Sequence, residues 1–155
     1  MSDRYKVQLQ IGGELPRSQL TGLVEALQAD GWGVNWDDGA EDELLEELTL
    51  PDSRLPSFTQ SEVSLQSLDE SIRFCVDNKL GYILRVSGNE IYGGHIQWRT
   101  AEMTEEKCIT ADHDAWYSVV DAQTLECFQT KGLTLDEVIT TLKNSPPTLP
   151  EFKIV

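Results

Sequence analysis

Positively charged residues are scarce in this chain. It has 12 lysines and arginines against 27 aspartates and glutamates, for a formal net charge of -15, and residues 18–53 contain no lysine or arginine. Such a charge repels the phosphates of nucleic acids and the headgroups of anionic lipids. We therefore expect no direct binding to nucleic acid and no membrane binding. The same field attracts basic proteins, so we predict a basic protein partner.

Cysteine, histidine and long apolar runs are also few. The three cysteines have no CxxC spacing and the two histidines form no HExxH motif, which argues against a disulfide framework, a zinc site and a catalytic metal. No apolar run approaches the ~18 residues that span a membrane, and the first ten residues lack the apolar stretch of a signal peptide. These features predict a cytoplasmic protein with free thiols, no metal and no cofactor.

The length and the apolar content fit one folded domain. The chain has 155 residues, of which 39% are hydrophobic, enough to bury a core without a metal or disulfide. We predict a single α+β domain over residues 1–145. Residues 146–155 contain Pro146, Pro147 and Pro150, which predict an extended tail that docks on the body or on a partner.

The first half of the chain alternates between strand and helix patterns. Apolar residues at every second position over residues 5–11 predict a strand, and the same period at Trp32, Val34 and Trp36 predicts a second one. Between them lies a helical stripe from Leu20 to Leu27 that Gly31 ends. The segment DDGAEDELLEELTLP predicts another helix, with its leucines on one side and Glu43, Glu46 and Glu47 on the other. Residues 54–60 are predicted to be a loop.

The second half begins with a capping box of Ser67 and Glu70 that predicts a helix. A hairpin follows, with strands over residues 82–86 and 91–99 joined at Gly88-Asn89. Residues 100–114 are predicted to be a long loop and residues 116–120 a strand, while residues 125–129 fit a strand or a short helix. Thr134 and Glu137 form a second capping box.

These elements predict a mostly antiparallel sheet. We expect four to five strands, with three to four helices packed mainly on one face. Neither strand order nor a known family follows from the pattern.

The acidic stretch between Arg17 and Arg54 contains the candidate binding residues. Its carboxylates lie on or beside one predicted helix, and Trp36 stands next to them as a candidate interface anchor. A solvated face, a partner-binding face, a nucleic-acid mimic and a weak cation site all fit this cluster, although the residue spacing does not match an EF-hand. We predict partner binding by Trp36, Asp37, Asp38, Glu43, Glu46 and Glu47.

Catalytic patterns are weak throughout. No G-x-S-x-G elbow occurs, and the sequence Asp112-His113-Asp114 is typical of a loop. A small enzyme centred on Cys108 and His113, five residues apart, is one alternative, and an assembly subunit that uses its tail or a sheet edge is another. We predict that the chain is an inhibitor-type or immunity-type binding protein without catalytic residues.

Overall fold

The chain folds into an α+β structure, described from a computed structural model for residues 5–36, 39–50, 54–88, 93–115 and 119–155. The described residues form six strands, five α-helices and two short 3-10 helices. In chain order the elements are β1 (Tyr5–Leu15), α1 (Leu20–Asp30), α2 (Glu41–Thr49), β2 (Ser57–Val63), α3 (Asp69–Asp77), β3 (Gly81–Val86), β4 (Gly94–Arg99), β5 (Lys107–Ala111), α4 (Ala122–Thr130), α5 (Leu135–Lys143) and β6 (Phe152–Ile154). The 3-10 helices are Arg17–Gln19 and Leu65–Leu68.

Strand β1 lies in the interior of the sheet, between β2 and β3. The strand order is β2-β1-β3-β4-β5, all antiparallel, and β6 pairs in parallel with the far end of β1. Val7, Leu9 and Ile11 alternate along β1 and are all buried, because every second side chain of a strand points to the same face. The expected α+β class and mostly antiparallel sheet are confirmed.

One face of the sheet is covered by helices. Helix α1 buries Leu23, Val24 and Leu27 there, and α2 adds Leu44 and Leu48. The structure confirms that Gly31 ends α1, since this residue has a left-handed φ of 80° and its amide caps the helix. Helices α1 to α3 therefore form one layer against β1 and β3.

The opposite face has a smaller core that includes the end of the chain. It contains Ile83, Ile96, Trp98, Ala111, Ala115 and Leu149. Leu149 belongs to the proline-rich tail, which then pairs with β1 through β6. Gly12 and Gly81 are paired across β1 and β3, and a Cβ on either one would lie within 2.9 Å of a Leu149 side-chain atom. This pair of glycines makes room for the tail on the sheet.

Several local predictions are wrong, and two of these errors concern the sheet edges. Residues 57–60, predicted to be loop, begin β2, and residues 107–111 form β5 inside the other predicted loop. Both are edge strands with many exposed positions, so their hydrophobic alternation is weak. The predicted strand at residues 32–36 contains only an isolated bridge between Gly33 and Thr59.

A further error concerns the first capping box. The Ser67 hydroxyl donates to the Ser64 carbonyl oxygen and does not cap α3, which begins at Asp69. Instead, the buried Asp30 carboxylate accepts hydrogen bonds from the backbone N–H of Ser71 at 2.7 Å and from its hydroxyl at 2.6 Å. The last residue of α1 thus caps the first turn of α3.

The structure contains the predicted hairpin and two helices near the C-terminus. Strands β3 and β4 pair as predicted, with Gly94, Ile96 and Trp98 buried, whereas residues 89–92 lie outside the described part. The ambiguous residues 125–129 are helical. The capping box of Thr134 and Glu137 is confirmed in both of its hydrogen bonds. Residues 119–120 of the predicted strand at 116–120 are not in a strand, and residues 116–118 lie outside the described part.

Candidate functional site

Helix α2 presents acidic side chains because its leucines hold it on the core. Leu44 and Leu48 are buried, which turns Glu43 and Glu46 outward into solvent. Glu41, Asp42 and Glu43 occupy the first turn, where carboxylates are stabilised by the partial positive charge of the helix N-terminus. The helix therefore tolerates a high density of negative charge at its N-terminal end.

Glu47 does not share this exposed face, contrary to its expected position. Its side chain is buried and accepts a hydrogen bond from the backbone N–H of Ser57 at 2.9 Å. The Arg54 guanidinium lies 3.4 Å from the same carboxylate. Three residues after Leu44 and one before Leu48, Glu47 lies at the border of the buried stripe, where a helical residue can turn inward. It connects α2 to the start of β2.

A pocket of about 330 Å³ opens between α2 and the segments beside it, and we call it the acidic pocket. Glu43 and Glu46 stand at its exposed side, Glu47 lies deeper, and Val34 and Leu50 supply half-buried apolar wall. Its complete lining is Val34, Asn35, Glu43, Glu46, Glu47, Leu50 and Arg54. Its volume is at the small end of ligand sites.

The charges in the acidic pocket are only partly compensated. Arg54 is the one cation in the pocket lining, and its guanidinium lies 3.4 Å from the Glu47 carboxylate. Among the residues that the structure describes, no lysine or arginine forms an ion pair with Glu43 or Glu46. Two carboxylates therefore remain to attract a cation from outside.

Trp36 is held at the surface by an unusual backbone. Asn35 and Trp36 have consecutive positive φ angles of 54° and 68°, a conformation that costs about 1–2 kcal/mol for a residue with a side chain. The backbone N–H of Trp36 donates to the Thr59 hydroxyl at 2.6 Å, and the residue is 52% exposed. Trp32 is buried, so the two tryptophans do not share a strand face as the alternation predicted.

The predicted site residues are only partly brought together. Glu43, Glu46 and Glu47 line the acidic pocket, whereas Trp36 lines a neighbouring pocket of about 250 Å³ with Lys6, Arg85 and Asp114. Asn35, next to Trp36 in the chain, joins the lining of the acidic pocket. Asp37 and Asp38 lie outside the described residues.

No family model, curated protein or solved structure matches this chain. The residues of the site are therefore the basis for any functional proposal. Within the described ranges, no group of three or more histidine, cysteine, aspartate or glutamate side chains is arranged to hold a metal ion. None of the helices described here is both long and apolar enough to cross a membrane.

Among the described contacts, Cys108 and His113, the residues of the alternative hypothesis, form no hydrogen bond with each other. Cys108 lies on β5 opposite Gln97, whereas His113 follows the end of that strand, with its Nδ1 atom 3.5 Å from an Asp114 carboxylate oxygen. Burial, and secondarily the negative charge of Glu106, raise the pKa of the Cys108 thiol. A raised pKa leaves less of the nucleophilic thiolate at neutral pH.

A polar strip on β4 and β5 shares a sheet face with Cys108. His95 and Gln97 face the same side as Cys108, and the His95 Nε2 atom lies 2.9 Å from Gln97 Nε2. The Tyr82 hydroxyl donates to the Glu106 carboxylate beside them. Burial lowers the pKa of His95, and Glu106 opposes that shift. The alternation of β4 predicted the shared face of His95 and Gln97, but Cys108 and Glu106 join it only through the missed strand β5.

Proposed function

We propose that this chain binds a basic protein partner and that the acidic pocket receives a lysine or arginine side chain of that partner. The supporting observation is the open pair Glu43 and Glu46 above a small pocket with apolar wall. The methylene stem of a lysine or arginine packs on apolar surface while its charged head pairs with carboxylates. Trp36 is exposed nearby on a strained backbone, and it supplies an aromatic anchor.

The charge of the whole chain supports the same partner class. A net charge of -15 steers cationic proteins toward the surface and accelerates their association. A protein that binds nucleic acid carries a positively charged groove. We therefore favour one form of the proposal, in which this chain is an inhibitor or immunity-type protein that occupies such a groove. We further propose that this binding takes place in the cytoplasm, because Cys75, Cys108 and Cys127 are all free thiols.

Charge reversal of Glu43 and Glu46 to lysine is expected to weaken partner binding about tenfold, because the pocket then repels the partner's cation. The experiment captures proteins from a lysate of the source organism on the immobilised chain, identifies the retained partner and then measures its affinity for the purified variants. Binding is compared at about 0.1 M and about 1 M salt, between which the Debye length falls from about 10 Å to about 3 Å.

The matched control reverses Glu102 and Glu105, two exposed carboxylates in the turn before β5. It has the same net charge as the pocket variant, so it isolates the position of the charges from their number. Equal losses in the two variants would show that only bulk charge matters. A partner whose affinity is the same at both salt concentrations would refute the electrostatic proposal.

Replacing Trp36 with glycine separates binding from folding. Glycine adopts a positive φ without strain, so the free energy of unfolding should stay the same or rise by up to about 1 kcal/mol. The loss of an aromatic anchor should weaken partner binding about tenfold. Urea denaturation and titration calorimetry measure the two effects. Unchanged affinity together with lower stability would mean that Trp36 is merely structural.

A further inference from the structure

Helices α4 and α5 are consecutive in the chain, and we refer to them as the helix pair. The rest of the chain covers them poorly. They are joined through residues 131–134, with Gly132 at a φ of 76° in the turn. Among the described residues, α4 buries none of its side chains and α5 buries only Val138. Neither helix contributes to the two hydrophobic cores.

The apolar side chains of this helix pair remain open to solvent. Leu135 is 74% exposed and Ile139, one turn later, is 41% exposed, while Leu125 on α4 is 48% exposed. We call Leu135 and Ile139, which lie one turn apart on α5, the apolar helix face. Of the six large hydrophobic residues that are exposed in the described part of the chain, four lie within residues 119–139. Leu135 and Ile139 are neighbours on the helix surface because they are four residues apart, and adjacent exposed apolar side chains indicate an interaction surface more strongly than isolated ones do.

Both helices are short, so they need packing against another surface to be stable. Each helix has nine residues, and isolated helices shorter than about 12–15 residues are marginal in water. Side-chain packing usually supplies the missing stability. In α5 that packing is one-sided, since Val138 is buried and Leu142 half-buried while Leu135 and Ile139 of the same stripe are open. A second apolar surface would complete the stripe.

The charges around the face indicate what kind of surface fits. The helix pair carries the acids Glu126, Asp136 and Glu137 and the bases Lys131 and Lys143, with Asp121 at the N-cap of α4. The resulting charge of -2, added to the negative field of the whole chain, opposes a second copy and favours a cationic occupant.

We infer that the apolar helix face docks a short amphipathic helix of a partner protein, with leucine-type anchors flanked by lysine or arginine. The mode is that of a helix laid against apolar side chains at helical spacing. This surface is distinct from the acidic pocket, so the inference goes beyond the proposed function. Whichever partner the acidic pocket binds, the two surfaces are separable by mutation.

The test uses two fluorescent 18-residue peptides of helical periodicity, one of leucine and lysine and one of leucine and glutamate. Binding to the full chain is measured by anisotropy at about 0.15 M salt, where charges beyond about 8 Å are screened. The wild-type chain should bind the lysine peptide and not the glutamate peptide. The double variant Leu135→Gln/Ile139→Gln should weaken binding of the lysine peptide at least tenfold, since glutamine preserves helix propensity but removes the anchors.

Two controls distinguish this surface from general attraction and from the acidic pocket. Val155→Gln removes a hydrophobic side chain that is 61% exposed elsewhere, and Glu102→Gln/Glu105→Gln neutralises two exposed carboxylates in the turn before β5; neither should change peptide affinity more than twofold. The pocket variant Glu43→Gln/Glu46→Gln measures how much of the binding takes place in the acidic pocket. If the pocket variant loses binding and the Leu135/Ile139 variant does not, the inference is wrong while the proposed function survives. Light scattering that shows a dimer, lost in the Leu135/Ile139 variant, would assign the face to a second copy and overturn the inference.

Discussion

Replacement of Asp30 by alanine is expected to lower the free energy of unfolding by about 2–4 kcal/mol. The buried carboxylate accepts two hydrogen bonds from Ser71, one from the backbone N–H and one from the hydroxyl. Hydrogen bonds to charged groups contribute about 1.5–3 kcal/mol, and a buried donor without an acceptor adds its desolvation penalty. Urea denaturation at neutral pH, followed by circular dichroism, measures the loss.

Three further variants show whether the effect comes from this cap. Glu25→Ala alters an exposed carboxylate on the same helix and should change stability by less than about 0.5 kcal/mol. Asp30→Asn keeps an acceptor and should fall between wild type and alanine. Ser71→Ala removes only the hydroxyl donor, so its loss should be smaller than that of Asp30→Ala and not additive with it. An Asp30→Ala variant as stable as Glu25→Ala would contradict the assignment.

The contrast between the two capping boxes shows which signals the sequence contains. Thr134 and Glu137 cap α5 with hydrogen bonds between residues three apart, so a local motif sufficed to predict them. The cap of α3 comes from Asp30, which is 41 residues away from Ser71 in the chain. No spacing rule connects such residues, because their contact exists only after α1 and α3 have packed together.

Strand prediction depended on position in the sheet. Strands β1 and β3 lie in its interior: β1 alternates between buried and more exposed residues from Lys6 to Ile11, and β3 is buried at five of its six positions. The edge strands β2 and β5 have several exposed positions and include polar residues such as Gln60 and Lys107. Their sequences satisfy fewer packing demands, which is why they resemble loops when the chain is considered alone.

The candidate site was predictable where it depends on helix periodicity and not where it depends on tertiary contacts. Glu43 and Glu46 face outward because Leu44 and Leu48 are buried, and the helical pattern contains this information. Glu47 turns inward to the Ser57 backbone N–H, which belongs to a strand that was predicted to be a loop. The exposure of Trp36 depends on positive φ angles at two residues that are not glycine, and no propensity predicts such a pair.

The second substitution with a large expected effect on stability is at Leu149, which holds the tail against the sheet. Leu149 is buried in the smaller core beside Ile83, and the chain after it pairs with β1 through β6. Leu149→Ala is expected to lower the free energy of unfolding by about 2–4 kcal/mol, the range for a buried leucine. It should also speed amide exchange at Gly13 and Val155, whose N–H groups bond across the junction of tail and β1. Mass spectrometry resolves that exchange.

Gly81 provides the decisive comparison for this role. A Cβ at Gly81 would come within 2.9 Å of a Leu149 methyl carbon, so Gly81→Ala alone should be destabilising by about 1–2 kcal/mol through overpacking. Combined with Leu149→Ala, the added methyl group has room, and the double variant should be more stable than the sum of the single losses by about 1 kcal/mol. Strict additivity would mean that the two residues do not compete for one space. Val155→Ala, at an exposed position, should change stability by less than about 0.5 kcal/mol.

The tail is engaged inside the chain, so assembly through it would require its release. Leu149→Ala should therefore favour any tail-mediated oligomer that light scattering detects.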